Sequence, residues 1–135
     1  MSAPDTTPRD RPILIVDDDL DIREALAETL EDRGFVVITA ANGRDALATL
    51  RSAKALPSII LLDLMMPVMD GYGFLEERRR DPTLASIPVA IITAGHGVDR
   101  SRLGDSAPIV PKPINVAQLV NTLRQLQSQD RTAPR

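Results

Sequence analysis

Four short stretches of this 135-residue chain carry side chains able to do chemistry together. Asp17, Asp18 and Asp19 follow the apolar run Pro12–Val16, and Asp63 ends the run Ser58–Leu62. Thr93 ends the run Ile87–Ile92, and Lys112-Pro113 follows the short run Pro108–Pro111. Brought to one place, the carboxylates repel and raise one another's pKa, and a hard cation relieves that repulsion. Mg²⁺ suits such a site, because it takes oxygen ligands, keeps several waters and needs only one or two carboxylates beside phosphate oxygens. A carboxylate such as Asp63 can also attack phosphorus and give an acyl phosphate. Transfer of that kind depends on positioning and charge neutralisation. The Lys112 ammonium can share the neutralisation, and the Thr93 hydroxyl can donate to the new phosphoryl group.

The elements that must position these residues follow from periodicity. Pro12–Asp17, Phe35–Ala40, Ser58–Asp63, Ile87–Thr93 and Pro108–Pro111 read as strands. Leu20–Arg33 reads as an amphipathic helix with Ile22, Ala25, Leu26, Thr29 and Leu30 on one face, stopped by Gly34. Gly43–Ala53 and Gly71–Arg80 are the next helices, the latter capped by Asp70 and ended by Asp81-Pro82. Val98–Gly104 is a short, weak helix candidate, and Ile114–Leu126 is the last helix. Strand–helix alternation implies an α/β fold, a doubly wound five-stranded parallel sheet with helices on both faces. Ligands of such sheets sit beyond the carboxyl ends of the strands, where the four stretches lie.

The bulk properties agree. The chain is 43% hydrophobic and 26% charged, and its size fits one domain. Its net charge of −3 argues against binding nucleic acid. The absence of cysteine excludes disulfides and thiolate metal sites. The polar, Pro-bearing residues 1–11 read as a disordered arm, 12–127 as the domain and 128–135 as a flexible tail. No apolar run reaches the roughly 18 residues of a membrane span, and the start lacks a secretory signal. A cytoplasmic protein is expected.

The stretches ILIVDDDLDIREAL, LLDLMMPVMDGYGFLEERRRDPTLASIPVAIITA and PKP together resemble the receiver domain of two-component response regulators. The similarity runs from about Pro12 to Leu126. It implies the flavodoxin-like strand order 2-1-3-4-5. It implies Asp63 as phosphoacceptor, with Thr93 and Lys112 on the phosphoryl oxygens. The metal ligands are then Asp18 directly, Asp17 through water, Asp63, and the backbone carbonyl of Met65, with Mg²⁺ as the ion and Mn²⁺ or Ca²⁺ as substitutes. Lys112-Pro113 is a bond that is cis in many relatives. The implied donor is a sensor histidine kinase or a histidine phosphotransfer protein. The implied output is contact with an unidentified downstream protein through the fourth helix, fifth strand and last helix.

On this reading the protein is a stand-alone regulator without an output domain, a monomer or weak dimer, and not a multiple-turnover enzyme. An aspartate-based phosphohydrolase usually carries a second Asp two residues after its nucleophile; here that residue is Met65. The alternative is an interaction module of the same fold that needs no phosphate.

Other residues read more simply. Asp19 is expected to cap the first helix, His96 to be an exposed loop residue, and Arg78-Arg79-Arg80 to be a solvated face complementing a helix dipole. Met66 and Met69 read as packing residues, and Pro67 and Gly71 as shaping the loop and helix start after Asp63.

Two departures from the family stand out. Ile109 holds a position that is Tyr or Phe in many relatives. The segment between Thr93 and Lys112 is shorter than usual and carries Gly95, Gly97 and Gly104, so its helix is expected to be short, displaced or partly melted. We expect this segment to be mobile without phosphate and partly ordered with it. Met65 and Gly95 offer no polar side chain to orient water, so slow self-hydrolysis of the phosphoryl group is expected.

Overall fold

The computed structural model describes residues 11–94, 97–104 and 107–131, with side chains through residue 128. The strands are β1 (Ile13–Val16), β2 (Val37–Ala40), β3 (Ile59–Asp63), β4 (Val89–Thr93) and β5 (Ile109–Pro111). The α-helices are α1 (Leu20–Asp32), α2 (Gly43–Ser52), α3 (Gly71–Arg80) and α4 (Val116–Arg131). All strands are parallel, in the order β2-β1-β3-β4-β5. This is the doubly wound, flavodoxin-like sheet.

The alternation of each strand feeds two cores. Leu14, Val16, Ile60, Leu62 and Ile91 point to the side of α2 and α3, where Leu47, Leu50, Phe74 and Leu75 are buried. Ile13, Ile15, Ile59, Leu61 and Ile92 point to the side of α1 and α4, where Leu26, Leu30, Leu119 and Leu123 are buried. Burial on both faces explains why the strands read as unbroken apolar runs.

Capping side chains set the helix starts by occupying backbone N–H groups that lack intrahelical partners. Asp19 Oδ1 accepts from Asp21 N and Ile22 N. Asp70 Oδ1 accepts from Gly73 N, Asn42 Oδ1 from Asp45 N, and Asn115 Oδ1 from Gln118 N. Asn115 thereby starts α4 two residues later than the apolar pattern suggested. The helix also runs to Arg131, past the expected Leu126. Gln127 is buried and its Nε2 donates to Ser58 Oγ, which ties this turn to the foot of β3. Phe35 and Val36 lie outside β2, because the Phe35 N–H closes the end of α1 on the Leu30 carbonyl. On α1, Leu26 and Leu30 are buried but Ala25 is exposed.

The fourth crossover departs from the expected helix. In place of Val98–Gly104 it holds one 3₁₀ turn, Arg100–Arg102. Gly97 (φ +67°) and Gly104 (φ +88°) bracket it in the left-handed conformation that breaks helices. α3 holds this turn in place. The Tyr72 hydroxyl accepts from Asp99 N at 2.8 Å, and the Arg102 guanidinium lies 4.5 Å from the Tyr72 ring centroid and pairs with Glu76. Among the described residues no helix is long and apolar enough to cross a membrane.

Candidate functional site

β1, β3, β4 and β5 end at one edge of the sheet. β1 lies inside the sheet and pairs with both β2 and β3, so the chain leaving it emerges beside the end of β3. Oxygens of Asp17, Asp18 and Asp63 lie within 4.8 Å of one another. Asp17 and Asp63 are buried, whereas Asp18 is exposed at the mouth. Lys112 Nζ stands 3.6 Å from Asp17 Oδ2 and 3.7 Å from Asp63 Oδ2. The Lys112 N–H is fixed on the Thr93 carbonyl at 2.8 Å, and the Lys112–Pro113 peptide is cis. Thr93 is buried and follows Ile92, the β4 partner of Asp63 in register.

The loop after β3 is held as tightly as the strands. Met65 N donates to Asp63 Oδ1, and Gly71 N to the Leu64 carbonyl. A Cβ on Gly71 would sit 2.7 Å from Leu64 Cα and 2.8 Å from the Asp63 carbonyl oxygen, so only glycine lets α3 begin here. Gly43 at the start of α2 meets Met69 just as closely and donates to its carbonyl. Between these anchors Val68 takes φ +72°, a costly conformation for a β-branched residue. Met66 is buried and Met69 packs against the core of α2 and α3.

Burial, then the charge of Asp17, raise the pKa of Asp63 above the usual carboxylate range, while Lys112 and the Met65 N–H pull it down. Asp17 Oδ2 is buried with no hydrogen-bond partner. Lys112 Nζ, at 3.6 Å, is too distant to hydrogen-bond it; a buried carboxylate oxygen without a hydrogen bond is costly, and a cation or its bound water would satisfy it. Oxygens on opposite sides of Mg²⁺ lie about 4.2 Å apart, close to the spread of this cluster. The residues present thus fit a hard divalent ion.

The sequence-derived set Asp17, Asp18, Asp63 and Lys112 converges, with Thr93 on the adjacent strand end. The Met65 N–H bonds Asp63, while its side chain is exposed. Asp19 caps α1, and its N–H donates to Asp17 Oδ1. His96 and Gly95 lie outside the described residues. Sequence reasoning missed Arg23, whose guanidinium donates to the Asp17 carbonyl at 2.7 Å and so braces the acidic loop from α1. Its place one turn into a helix beginning at an acidic cap was the available signal. Arg78 differs from its expected role as a solvated residue: it is half-buried and donates to the carbonyls of Ala85 and Ile87.

The model of the response regulator receiver domain matches residues 13–124. The chain belongs to this family: it is a receiver domain of two-component response regulators. A CpxR homolog from Haemophilus influenzae is 37% identical over 118 residues, covering 84% of this chain and 49% of that protein. The chain spans about a third to a half of the curated relatives it matches. Among solved structures, the receiver domain of a signal transduction histidine kinase from Syntrophus aciditrophicus aligns with TM-score 0.80 at 31% identity, covering 92% of this chain and 95% of that one. The receiver domain of a sensor histidine kinase from Pseudomonas aeruginosa aligns with TM-score 0.78 at 28% identity, covering 87% and 98%; its structure has a magnesium ion coordinated in the active site cleft.

Proposed function

We propose that this domain accepts a phosphoryl group on Asp63 from a phosphohistidine donor, in a Mg²⁺-dependent reaction, and passes the signal on by protein contacts in the cytoplasm. The observation that carries this reading is the buried Asp63 carboxylate beside Asp17, with Lys112 Nζ 3.7 and 3.6 Å from the two. Asp17, Asp18, Asp63 and the Met65 carbonyl would hold the ion, which supplies charge neutralisation for the phosphoryl oxygens. An Asp63 oxygen forms a bond to phosphorus as the bond from phosphorus to the donor imidazole nitrogen breaks. The imidazole leaves with that electron pair. Lys112 Nζ neutralises the phosphoryl charge from the β5 side, and the Thr93 hydroxyl donates to a phosphoryl oxygen. The domain consumes its own carboxylate in this step, so it is a phosphoacceptor and not a multiple-turnover enzyme.

An apolar groove opens beside the site, lined by Ile22, Ala25 and Leu26 of α1 with Pro113, Ile114 and Lys112. Lys112 borders both groove and pocket, so a donor helix seated there presents its phosphohistidine to Asp63. Incubation with acetyl phosphate and Mg²⁺ should add one phosphoryl mass to the intact protein and none to Asp63→Asn. No adduct on the native protein would refute the reading.

One observation favours a second reading. Ile109, only partly buried, cannot swing as an aromatic does. A phosphate-independent interaction module would show the same partner affinity with and without a phosphoryl mimic.

A further inference from the structure

We propose that the groove between the end of α3 and the 3₁₀ turn is a docking site for an acidic segment of a partner protein. This site is separate from the phosphoryl-accepting pocket and does not rest on the reading above. The groove has a volume of about 540 Å³ and an apolar floor that includes Leu75, Val89, Leu103 and Leu126. Val89 begins β4 and Thr93 ends it, so the groove and Thr93 are separated by the length of that strand, about 13 Å. It exists because a three-residue turn replaces the helix of ten or more residues that fills each earlier crossover.

Arg78 and Arg79 line the groove. The Arg79 guanidinium reaches across to the Arg102 carbonyl at 2.6 Å, and Arg78 is half-sunk against the loop before β4. Among the described residues neither has a carboxylate within ion-pair distance, whereas Arg80 pairs with Glu77 and Arg102 with Glu76. The two arginines that line the groove thus keep their charge without an ion-pair partner among the described residues, on a chain whose net charge is −3. Burial, then the charge of Arg79, lower the pKa of Arg78. A carboxylate placed beside both removes that repulsion and finds forked donors of matching geometry.

The chemistry selects a peptide over other anions. An apolar floor rewards a side chain such as leucine and gives nothing to free phosphate. Nucleic acid needs a track of cations along its backbone, and an acidic protein repels it outside this patch. The fitting ligand carries carboxylates flanking one apolar anchor.

A fluorescein-labelled peptide of alternating glutamate and leucine is the probe, titrated against the full chain by anisotropy and mapped by amide shifts. The expected result is saturable, salt-sensitive binding, with shifts at Leu75, Val89 and Leu103. Arg79→Glu should weaken it by about tenfold or more. Arg79→Gln keeps a donor for the Arg102 carbonyl and should weaken it by roughly threefold, which separates lost charge from lost structure. Arg33→Glu, at the end of α1, should leave it unchanged. Absence of saturable binding, an unchanged affinity in Arg79→Glu, or displacement by an equimolar oligothymidine or by inorganic phosphate would each overturn the proposal.

Discussion

Two glycines on the first turn of α3 should respond in opposite directions to the same substitution. An alanine at position 71 places its Cβ 2.7 Å from Leu64 Cα, 2.8 Å from the Asp63 carbonyl oxygen and 2.9 Å from Leu64 Cδ2. Carbon atoms settle at about 3.5–4.0 Å, so helix and strand end must part by nearly an ångström. The obstructing atoms are mostly backbone, and overpacking of this kind costs about 1–3 kcal/mol. At position 73 the nearest atoms are Met69 Cγ at 3.2 Å and Asp70 Oδ1 at 3.5 Å, both on side chains. There the gain in helix propensity, up to about 1 kcal/mol, should survive. Gly71→Ala is expected to destabilise by about 1–2 kcal/mol after the same gain is credited, and Gly73→Ala to stabilise by about 0.5–1 kcal/mol. With a urea slope of about 1–3 kcal/mol/M, the two midpoints should differ by about 1 M in circular-dichroism melts of unchanged slope. Gly71→Ala also pushes on the carbonyl of Asp63, so its Mg²⁺ affinity should fall. Midpoints that move together, or an alanine at 71 as stable as glycine, would refute this account of the loop.

Three further outcomes follow from the site. The raised pKa of Asp63 means that its ionisation costs folding free energy; the cost is absent below the unfolded value of 3.8 and grows as pH rises through the folded pKa. In chelator, Asp63→Asn should therefore melt several degrees higher at pH 7, with the gap closing towards pH 4, and Mg²⁺ should raise the melting temperature of the native chain alone. An Asn variant less stable at pH 7 would contradict this. Val68→Gly removes a left-handed valine costing about 1–2 kcal/mol and adds about 0.4–1 kcal/mol of unfolded-chain freedom. Its urea midpoint should rise modestly, and a fall would count against backbone strain in that loop. Ile22→Glu in the groove beside Lys112 should slow phosphotransfer from a histidine donor roughly tenfold or more and leave labelling by acetyl phosphate unchanged; equal loss in both assays would show that the substitution damages the pocket itself.

Much of this molecule was legible in the chain. α3 runs over Gly71–Arg80 as read, because Asp70 and Asp81-Pro82 punctuate it in local sequence. The acidic residues and Lys112 were found together because a parallel sheet delivers every strand end to one edge, so five apolar runs were enough to bring distant positions near. Features that depend on long-range partners were not legible. Gln127 lay one residue past the expected end of the last helix, and its bond to Ser58, 69 residues away, shows one reason why the helix runs on. Arg23 looked like one more charge on an amphipathic helix until the Asp17 carbonyl appeared beneath it. Val68 gave no warning, since a β-branched residue is the last expected at positive φ. The fourth crossover was half-read: its glycines foretold a broken helix, but Tyr72 and Arg102, which secure what remains, belong to segments with no shared pattern.

The seam between α3 and the 3₁₀ turn has one more consequence. Tyr72 is the only tyrosine in a chain without tryptophan, so nearly all near-ultraviolet emission comes from a single phenol. That phenol accepts the Asp99 amide proton and lies beneath the Arg102 cation, two neighbours that leave if the turn lifts away. The protein thus contains a native chromophore at the seam between α3 and the 3₁₀ turn, and undocking there changes its brightness without a dye.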